Sequence, residues 1–219
     1  RYLVLIRGVP LRIENAPESL SESEASLPKQ FKVTRASVDS ELSLLLGPPG
    51  VSMAALIPNP LFEKPNLQNA DTGRLLFVNR LDGPSEKAVI RLIDRTIEGE
   101  QKGLMGRAYF DVGGPHKKGD QWLRAAGELA EAAYFDVSYE TTKREMDFRD
   151  RLDAPAIYMG WYKPNAYGPW AESSWSVPPG AIGFHLHSFS AKTVRSTKKG
   201  WLGAFVQQGY SVTVGNVFE

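Results

Sequence analysis

Short apolar runs that end in glycine or a turn alternate along this chain with longer helical patterns. The runs are "YLVLIRG" (2–8), "RLLFVNRL" (74–81), "GRAYFDVGG" (106–114), "FDVSYET" (135–141), "APAIYMGWY" (154–162), "GAIGFHLHSFSA" (180–191) and "YSVTVGNV" (210–217). This rhythm predicts an α/β fold, with a mostly parallel sheet flanked by helices on both faces as three layers. Sheets of this kind bind their ligands at the carboxyl ends of the strands.

Four segments between the runs have the apolar spacing of amphipathic helices. They cover 35–50, the stretch after Asp82-Gly83-Pro84-Ser85, 119–134 and 198–209. In chain order, we expect these helices to bury Val38, Leu42, Leu45 and Leu46; Ala88, Val89, Leu92, Ile93 and Ile97; Trp122, Ala126, Leu129 and Ala133; and Trp201, Leu202, Phe205 and Val206.

The length of 219 residues fits one large α/β domain over 1–219 better than two small domains. The segments 8–30 and 48–73 are polar or rich in proline, which predicts long loops. The chain opens on "RYLVLIRG", which has the pattern of a buried strand and no start methionine. We therefore expect the sequence to be a fragment of a longer chain.

Composition excludes several classes of partner and chemistry. The net charge of +1 gives no reason to expect nucleic acid, and the basic clusters "HKKGD" and "RSTKKG" are short and lie beside glycine turns. The chain contains no cysteine, so it forms no disulfide, thiolate metal site or cysteine nucleophile. No apolar run reaches the ~18 residues of a membrane span. The motifs "VGGP" and "GPPG" lack the residues of a nucleotide-binding loop, so we expect no cofactor.

The stretch "GAIGFHLHSFSA" places polar groups in an apolar run and gives the candidate catalytic residues His185, His187 and Ser188. On a strand the two histidines share a face, as a metal site requires, but nothing in the sequence brings a third ligand (Asp82, Asp111 or His116) within reach. We predict no metal. Strand alternation also sets Ser188 opposite His187, which argues against a nucleophile and base pair.

Charged side chains at strand and helix ends are the other candidates. Asp39 lies near the start of a predicted helix, where carboxylates cap and complement the dipole, and it is a further catalytic candidate. Arg80 ends an apolar strand, and we predict that it pairs with Asp39. Asp82 is a candidate N-cap for the following helix. Arg80, Asp82 and Asp111 are candidate ligand-binding residues because each ends a strand.

The loop 160–179, "GWYKPNAYGPWAESSWSVPP", holds three tryptophans and two tyrosines. Such aromatic density is typical of a lid packed over a sheet end or of contact with a flat or apolar ligand, and the sequence leaves both open. Trp161 and Tyr162 follow a strand directly and are therefore candidate ligand-binding residues.

An ordered set of segments resembles an uncharacterised bacterial protein family that occurs in genomes carrying the exosortase protein-sorting system. The segments are "YLVLIRGVPLRI", "VDSELSLLLG", "NPLFE", "NRLDGPS", "GLMGRAYFDVGG", "YMGWY" and "GAIGFHLHSFSA" followed by "WLGAFVQQG". The resemblance spans nearly the whole chain. It implies an exported, extracytoplasmic protein with further sequence on either side, and it implies no reaction.

The layout also resembles the gingipain-type branch of the caspase–hemoglobinase fold, whose catalytic histidine and cysteine follow two consecutive strands. "YMGWY" stands where the histidine strand ends, with Trp161 in the histidine's place, and "AIGFHLHS" stands where the cysteine strand ends. The cysteine–histidine pair is therefore missing. The resemblance implies a non-catalytic domain whose remodelled cleft binds a peptide or another ligand. The alternatives are a hydrolase that uses His185 or His187 with a nearby carboxylate, and a structural domain that docks against missing segments.

Overall fold

The computed structural model of the chain describes residues 1–29, 32–47, 61–62, 75–172 and 174–217. The strands are β1 (Tyr2–Ile6), β2 (Arg12–Ile13), β3 (Ala36–Ser37), β4 (Phe77–Leu81), β5 (Arg107–Asp111), β6 (Asp136–Glu140), β7 (Pro155–Gly160), β8 (Ile182–His185) and β9 (Val212–Val214). The helices are α1 (Glu22–Ala25), α2 (Val38–Ser43), α3 (Glu86–Lys102), α4 (Lys117–Ala132) and α5 (Leu202–Gln208). The predicted loop 48–73 lies, apart from 61–62, outside the described residues.

The chain divides into two compact units, Arg1–Leu81 and Asp82–Val217. In the N-terminal unit β1 pairs in parallel with β4, and β2 pairs antiparallel with β3. The unit also contains α2, whose first turn is capped by the Ser37 side chain accepting from the Ser40 N–H. The assignment of 1–219 to a single domain stays a prediction.

The C-terminal unit is built on a five-stranded, wholly parallel sheet in the order β6-β5-β7-β8-β9. The predicted α/β class with a mostly parallel sheet is therefore confirmed. The chain leaves β5 towards one edge to form β6, and then adds β7, β8 and β9 in turn on the other side of β5. This reversal of direction lies between β5 and β7.

The two faces of this sheet pack against different helices, as the three-layer prediction requires. Ala108, Phe110 and Ile157 lie on one face with Ala130 of α4. Because side chains alternate along a strand, Tyr158 of β7 points to the other face, where its ring lies 6.0 Å from that of Phe205 on α5.

The loop after β7 contributes to the core of the α5 face. Trp170 is 1% exposed, and its ring lies 4.0 Å from the ring of Tyr158. Its indole N–H donates to the Tyr210 hydroxyl at 3.3 Å. The sequence left two roles open for this aromatic loop, packing over the sheet or contact with a ligand. Trp170 packs over the sheet. The inward face predicted for α5 is also confirmed, since Trp201, Leu202, Phe205 and Val206 are all buried.

The predicted orientation of α4 is wrong. Trp122 and Leu129 are 62% and 72% exposed, and the sheet side of the helix carries Gly119, Leu123, Gly127 and Ala130. The reason is that large side chains from the sheet fill the space under the helix. The Tyr139 hydroxyl would lie 2.2 Å from a Cβ at Gly127, and the Trp161 ring equally close to one at Gly119. A Cβ would meet the held Trp161 ring at Gly119 and would have to displace the Tyr139 hydroxyl at Gly127, so small residues face the sheet and the larger α4 residues turn outward.

The orientation of α3 also differs from the prediction. Ala88 is buried as predicted, but Ile93 and Ile97 are 37% and 47% exposed. Two arginines set the helix rotation by donating to backbone carbonyls: Arg91 to Gln207, and Arg95 to Gly209 and Val177. The N-cap of α3 is Ser85, whose Oγ accepts from the Ala88 N–H at 3.2 Å, so the assignment of Asp82 as the cap is wrong.

Candidate functional site

A cleft of about 290 Å³ opens at the carboxyl ends of β5, β6 and β7. Its lining runs along the segments that follow these three strands and includes Asp111, Gly113, Gly114, Lys143 and Trp161. The cleft lies where the strand order reverses between β5 and β7, which is the place where open parallel sheets bind their ligands. The described residues thus form a concave surface at the carboxyl ends of three parallel strands.

One carboxylate of α4 holds the wall of this cleft together. The Oδ1 atom of Asp120 accepts hydrogen bonds from the Gly113 N–H at 2.8 Å, the Gly114 N–H at 3.2 Å and the Trp161 indole N–H at 2.8 Å. These donors belong to the segments after β5 and β7. Asp120 therefore fixes both strand ends to the first turns of α4, and hydrogen bonds to a charged acceptor are stronger than those to a neutral one.

Trp161 is a packed wall of the cleft and is only 3% exposed. It forms a cluster with Val112 and Leu123, and its ring lies so close to Gly114 that no Cβ would fit between them. His116, which is exposed, has its ring 5.9 Å from that of Trp161. The indole thus contributes apolar surface to the site but no group that transfers a proton at neutral pH.

The segment after β6 carries a dense ion-pair network on the opposite side of the cleft. Arg144 donates to both carboxylate oxygens of Asp150 at 2.7 Å and also pairs with Glu140. Hydrogen bonding to Arg144 lowers the pKa of Asp150, and hydrogen bonding to Thr142 lowers that of Glu140. Both carboxylates therefore stay ionised, and Arg144 is already occupied by them. Lys163 pairs similarly with Glu145 at 3.1 Å.

Asp111 is the group in the cleft whose ionisation is most altered. Its side chain ends β5, the residue is 1% exposed, and its Oδ2 accepts from the Met146 N–H at 2.9 Å. Burial is the main cause that raises the pKa of Asp111 to about 8, and the charges of Glu145, Glu140 and Asp150 raise it further against the effect of the Met146 hydrogen bond. Asp111 is therefore a neutral carboxylic acid at pH 7, and perturbed carboxyls in clefts are common at functional sites.

His185 ends β8 inside the core. It is completely buried, and its ring stacks on that of Trp201 with centroids 3.6 Å apart. The Lys163 N–H donates to His185 Nε2 at 2.9 Å, and the Tyr158 hydroxyl lies 3.4 Å from Nδ1. Burial holds the pKa of His185 well below its usual value, so the imidazole is neutral. Both ring nitrogens face protein groups, as in a structural histidine.

His187 and Ser188 lie beyond the strand, because β8 ends at His185. The assumption of strand alternation for this pair is therefore wrong. The chain turns instead: His187 Nδ1 accepts from the Phe189 N–H at 3.1 Å, and the His187 carbonyl accepts from the Ser190 N–H. Tyr162, which lines the cleft, brings the two residues together. Its ring lies 4.5 Å from that of His187, and its hydroxyl lies 3.0 Å from Ser188 Oγ.

Asp39 and Arg80 meet in the N-terminal unit, so their predicted pairing is confirmed. Arg80 Nε lies 3.1 Å from both carboxylate oxygens of Asp39, and an Nη atom lies 2.6 Å from Oδ1. Arg80 also donates to the carbonyls of Val9 and Pro10 at 2.8 and 2.9 Å. This arrangement ties α2, β4 and the segment after β1 together, and it gives Asp39 a structural role in this unit.

Asp82 is buried at the start of the C-terminal unit. Its Oδ1 accepts from the Gly83 N–H at 2.8 Å, and its Oδ2 pairs with Arg195 at 3.1 Å. The carboxylate thus joins the segment before α3 to the loop after β8. It does not belong to the residues that line the cleft.

Two further features bear on the predictions of metal and membrane binding. Within the described ranges, no group of three or more histidine, aspartate or glutamate side chains has the arrangement of a metal site. No helix in the same ranges combines the length and apolar character needed to cross a membrane.

The chain matches no protein family, no curated protein and no solved structure. The two resemblances noted from the sequence stay predictions.

Of the candidate ligand-binding residues, Asp111, Trp161 and Tyr162 line the cleft, and their role in binding stays a prediction. The sequence analysis missed Asp120, Arg144 and Glu145. Asp120 stands in "HKKGDQW", early in a helix, where an acidic residue is usually explained by the helix dipole. The one signal in the sequence was the glycine pair 113–114 at the end of a strand. Its two backbone N–H groups indicate that a hydrogen-bond acceptor such as a carboxylate lies nearby.

Proposed function

We propose that the C-terminal unit is a non-catalytic ligand-binding domain, and that the cleft after β5, β6 and β7 binds a peptide or another small polar ligand. The observation that carries this proposal is the position of the cleft at the reversal of the strand order. Its lining combines apolar surface from Trp161 with backbone and charged groups, as ligand sites commonly do.

The state of the strand-end residues supports binding over catalysis. His185 is neutral, buried and hydrogen bonded to protein groups, so it is not available as a base. Trp161 holds the strand end where the gingipain-type layout has its histidine, and β7 and β8 are adjacent parallel strands. This adjacency is compatible with a peptidase-like cleft that has been remodelled for binding.

Peptide selection with the full chain tests the proposal. Peptides selected from a random library should bind saturably in calorimetry. Lys143→Trp, which fills the cleft from its rim, should weaken binding at least tenfold. The matched control is Lys118→Trp on α4, where an exposed lysine outside the cleft receives the same side chain. Equal affinities of the two variants, or failure to select any saturable binder, would contradict the proposal.

A second candidate function is a hydrolase that uses His187. The observation in its favour is the grouping of His187, Tyr162 and Ser188 beside the cleft. Incubating selected peptides with the protein and analysing them by mass spectrometry separates the two candidates. Peptides recovered intact support binding alone, whereas cleavage that His187→Ala abolishes would establish the hydrolase.

On the resemblance to the exosortase-associated family alone, we further propose that the protein is extracytoplasmic. Fractionation of the native host, with detection of the full-length protein in the secreted or periplasmic fraction, tests this location. Recovery only with cytoplasmic markers would contradict it.

A further inference from the structure

Asp111 has one carboxyl oxygen engaged by the protein and one that is not. Oδ2 accepts from the Met146 N–H at 2.9 Å. Oδ1 has no hydrogen-bond partner among the residues that the structure describes, although the residue is 99% buried and lines the cleft. Because Asp111 lines the cleft, this carboxyl oxygen can form a hydrogen bond with a ligand or water there. The geometry thus leaves one position for a hydrogen bond with an occupant of the cleft.

Neighbouring charged groups determine whether Asp111 is neutral or ionised when a ligand enters the cleft. Charged and titratable groups face it from β6, from the segment after β6, from β7 and from the loop after β7: Glu140, Arg144, Glu145, Asp150, Tyr158 and Tyr167. Arg144 is held by Glu140 and Asp150 and therefore gives Asp111 no direct ion pair. Lys163 is likewise paired with Glu145. Ionised Asp111 would be a buried charge among carboxylates, and the neutral acid is favoured.

We propose, as a deepening of the proposed ligand-binding function on which it rests, that Asp111 acts as a carboxylic acid and donates its Oδ1–H to a carbonyl oxygen of an uncharged ligand, such as a peptide amide group. The Met146 N–H favours the proton on Oδ1, because the carbonyl oxygen of a carboxylic acid is its better hydrogen-bond acceptor. A ligand carboxylate is disfavoured, since Glu140, Glu145 and Asp150 would repel it.

This proposal predicts the direction in which ligand affinity changes with pH. The pKa of free Asp111 is about 8, so the donor form predominates at pH 7 and declines as the pH rises through 8. The apparent dissociation constant is the intrinsic one divided by the fraction of the binding-competent form. Affinity for a neutral amide should therefore be constant below the pKa and fall about tenfold per pH unit well above it. A cationic ligand would instead ionise Asp111 and bind more tightly as the pH rises.

The experiment uses N-acetyl-triglycine amide, a neutral probe with several amide carbonyls, and follows the full chain by NMR. Titrations are recorded at pH values on both sides of 8, with the Trp161 indole and Gly113 amide signals reporting on the cleft. Carboxyl carbon signals give the pKa of Asp111 with and without the probe. We expect a higher pKa with the probe and weaker binding at alkaline pH. Asp111→Asn, which keeps one acceptor and one donor, should bind independently of pH, and Asp111→Ala at least tenfold more weakly.

The other outcomes separate this inference from the proposed function. Probe binding at the cleft signals that is independent of pH and equal in Asp111→Ala would overturn the role of Asp111 and leave the binding domain intact. Binding that strengthens with rising pH would also overturn it, in favour of a cation site. No change at the cleft signals up to the solubility limit of the probe would overturn the amide assignment. The proposed function itself is judged separately, by peptide selection and the Lys143→Trp variant.

Discussion

The indole Nε1 of Trp161 donates a hydrogen bond of 2.8 Å to Oδ1 of Asp120, and so joins the end of β7 to α4. The same oxygen accepts from two backbone N–H groups after β5. This wall of the cleft is therefore a packed indole, and one carboxylate sets its position. This preformed wall supports the proposed binding function, since ordering loops on binding would reduce affinity.

Removing this carboxylate should destabilise the C-terminal unit. Asp120→Ala leaves three N–H donors without their acceptor, and each donor left unsatisfied in a buried position costs about 1–3 kcal/mol. Since Gly113 and Gly114 are only half-buried and water can reach them in part, we expect a total loss of ~3 kcal/mol in urea denaturation. Asp94→Ala on the exposed side of α3 is the matched control and should change stability little. Equal losses in both variants would contradict the role of Asp120.

Two glycines on the sheet side of α4 give a second prediction. Alanine at either Gly119 or Gly127 gains up to about 1 kcal/mol of helix propensity, so a comparison of the two isolates packing. A Cβ at Gly119 meets the Trp161 ring at 2.2 Å, and Trp161 is held by Asp120. A Cβ at Gly127 meets the Tyr139 hydroxyl, which is the tip of a side chain that can swing outward. Thermal denaturation should show Gly119→Ala to be the less stable variant, and the reverse order would contradict this.

The sequence predicts the parallel α/β class well, because that class follows from local patterns. Apolar runs that end in glycine identify the strands, and the carboxyl ends of parallel strands meet at one edge. The pairing of Arg80 with Asp39 was also predictable, because a charge at the end of an apolar strand requires a partner.

The rotation of α3 and α4 about their own axes was not predictable in this way. Apolar spacing assigned Trp122 and Leu129 to the core, whereas Tyr139 and Trp161, which come from distant strands, fill the space beneath α4. His185 is a similar case. Its neutrality depends on Trp201 and on the Lys163 N–H, neither of which is a neighbour in the sequence.

Burial of neutral His185 predicts a loss of stability in acid. Its folded pKa lies well below the unfolded value near 6.5, so below pH 6.5 the unfolded state binds a proton that the folded state does not. The contribution is therefore complete above pH 6.5 and is lost as the pH falls. Urea denaturation at about pH 8 and about pH 5 should show a smaller acid loss for His185→Gln than for the wild type.

The matched control for this histidine is His116→Gln, because His116 is exposed beside α4. His116→Gln should therefore keep the wild-type difference between the two pH values. If both glutamine variants lose the same free energy in acid, the burial of His185 is not the cause.

Asp111 predicts a pH dependence of stability with the opposite direction, which can be measured without any ligand. Its folded pKa of about 8 is above the ordinary value of 3.8, so the folded state holds a proton that the unfolded state releases between these values. The free energy of unfolding should therefore decline as the pH rises from about 4 to about 8, by up to 1.4 kcal/mol per pH unit, and level off above pH 8. Asp111→Asn cannot ionise, so it should remove this decline and be the more stable protein at alkaline pH. Urea denaturation of both proteins across this range tests the prediction, and parallel curves for wild type and Asp111→Asn would show that Asp111 ionises freely in the folded state.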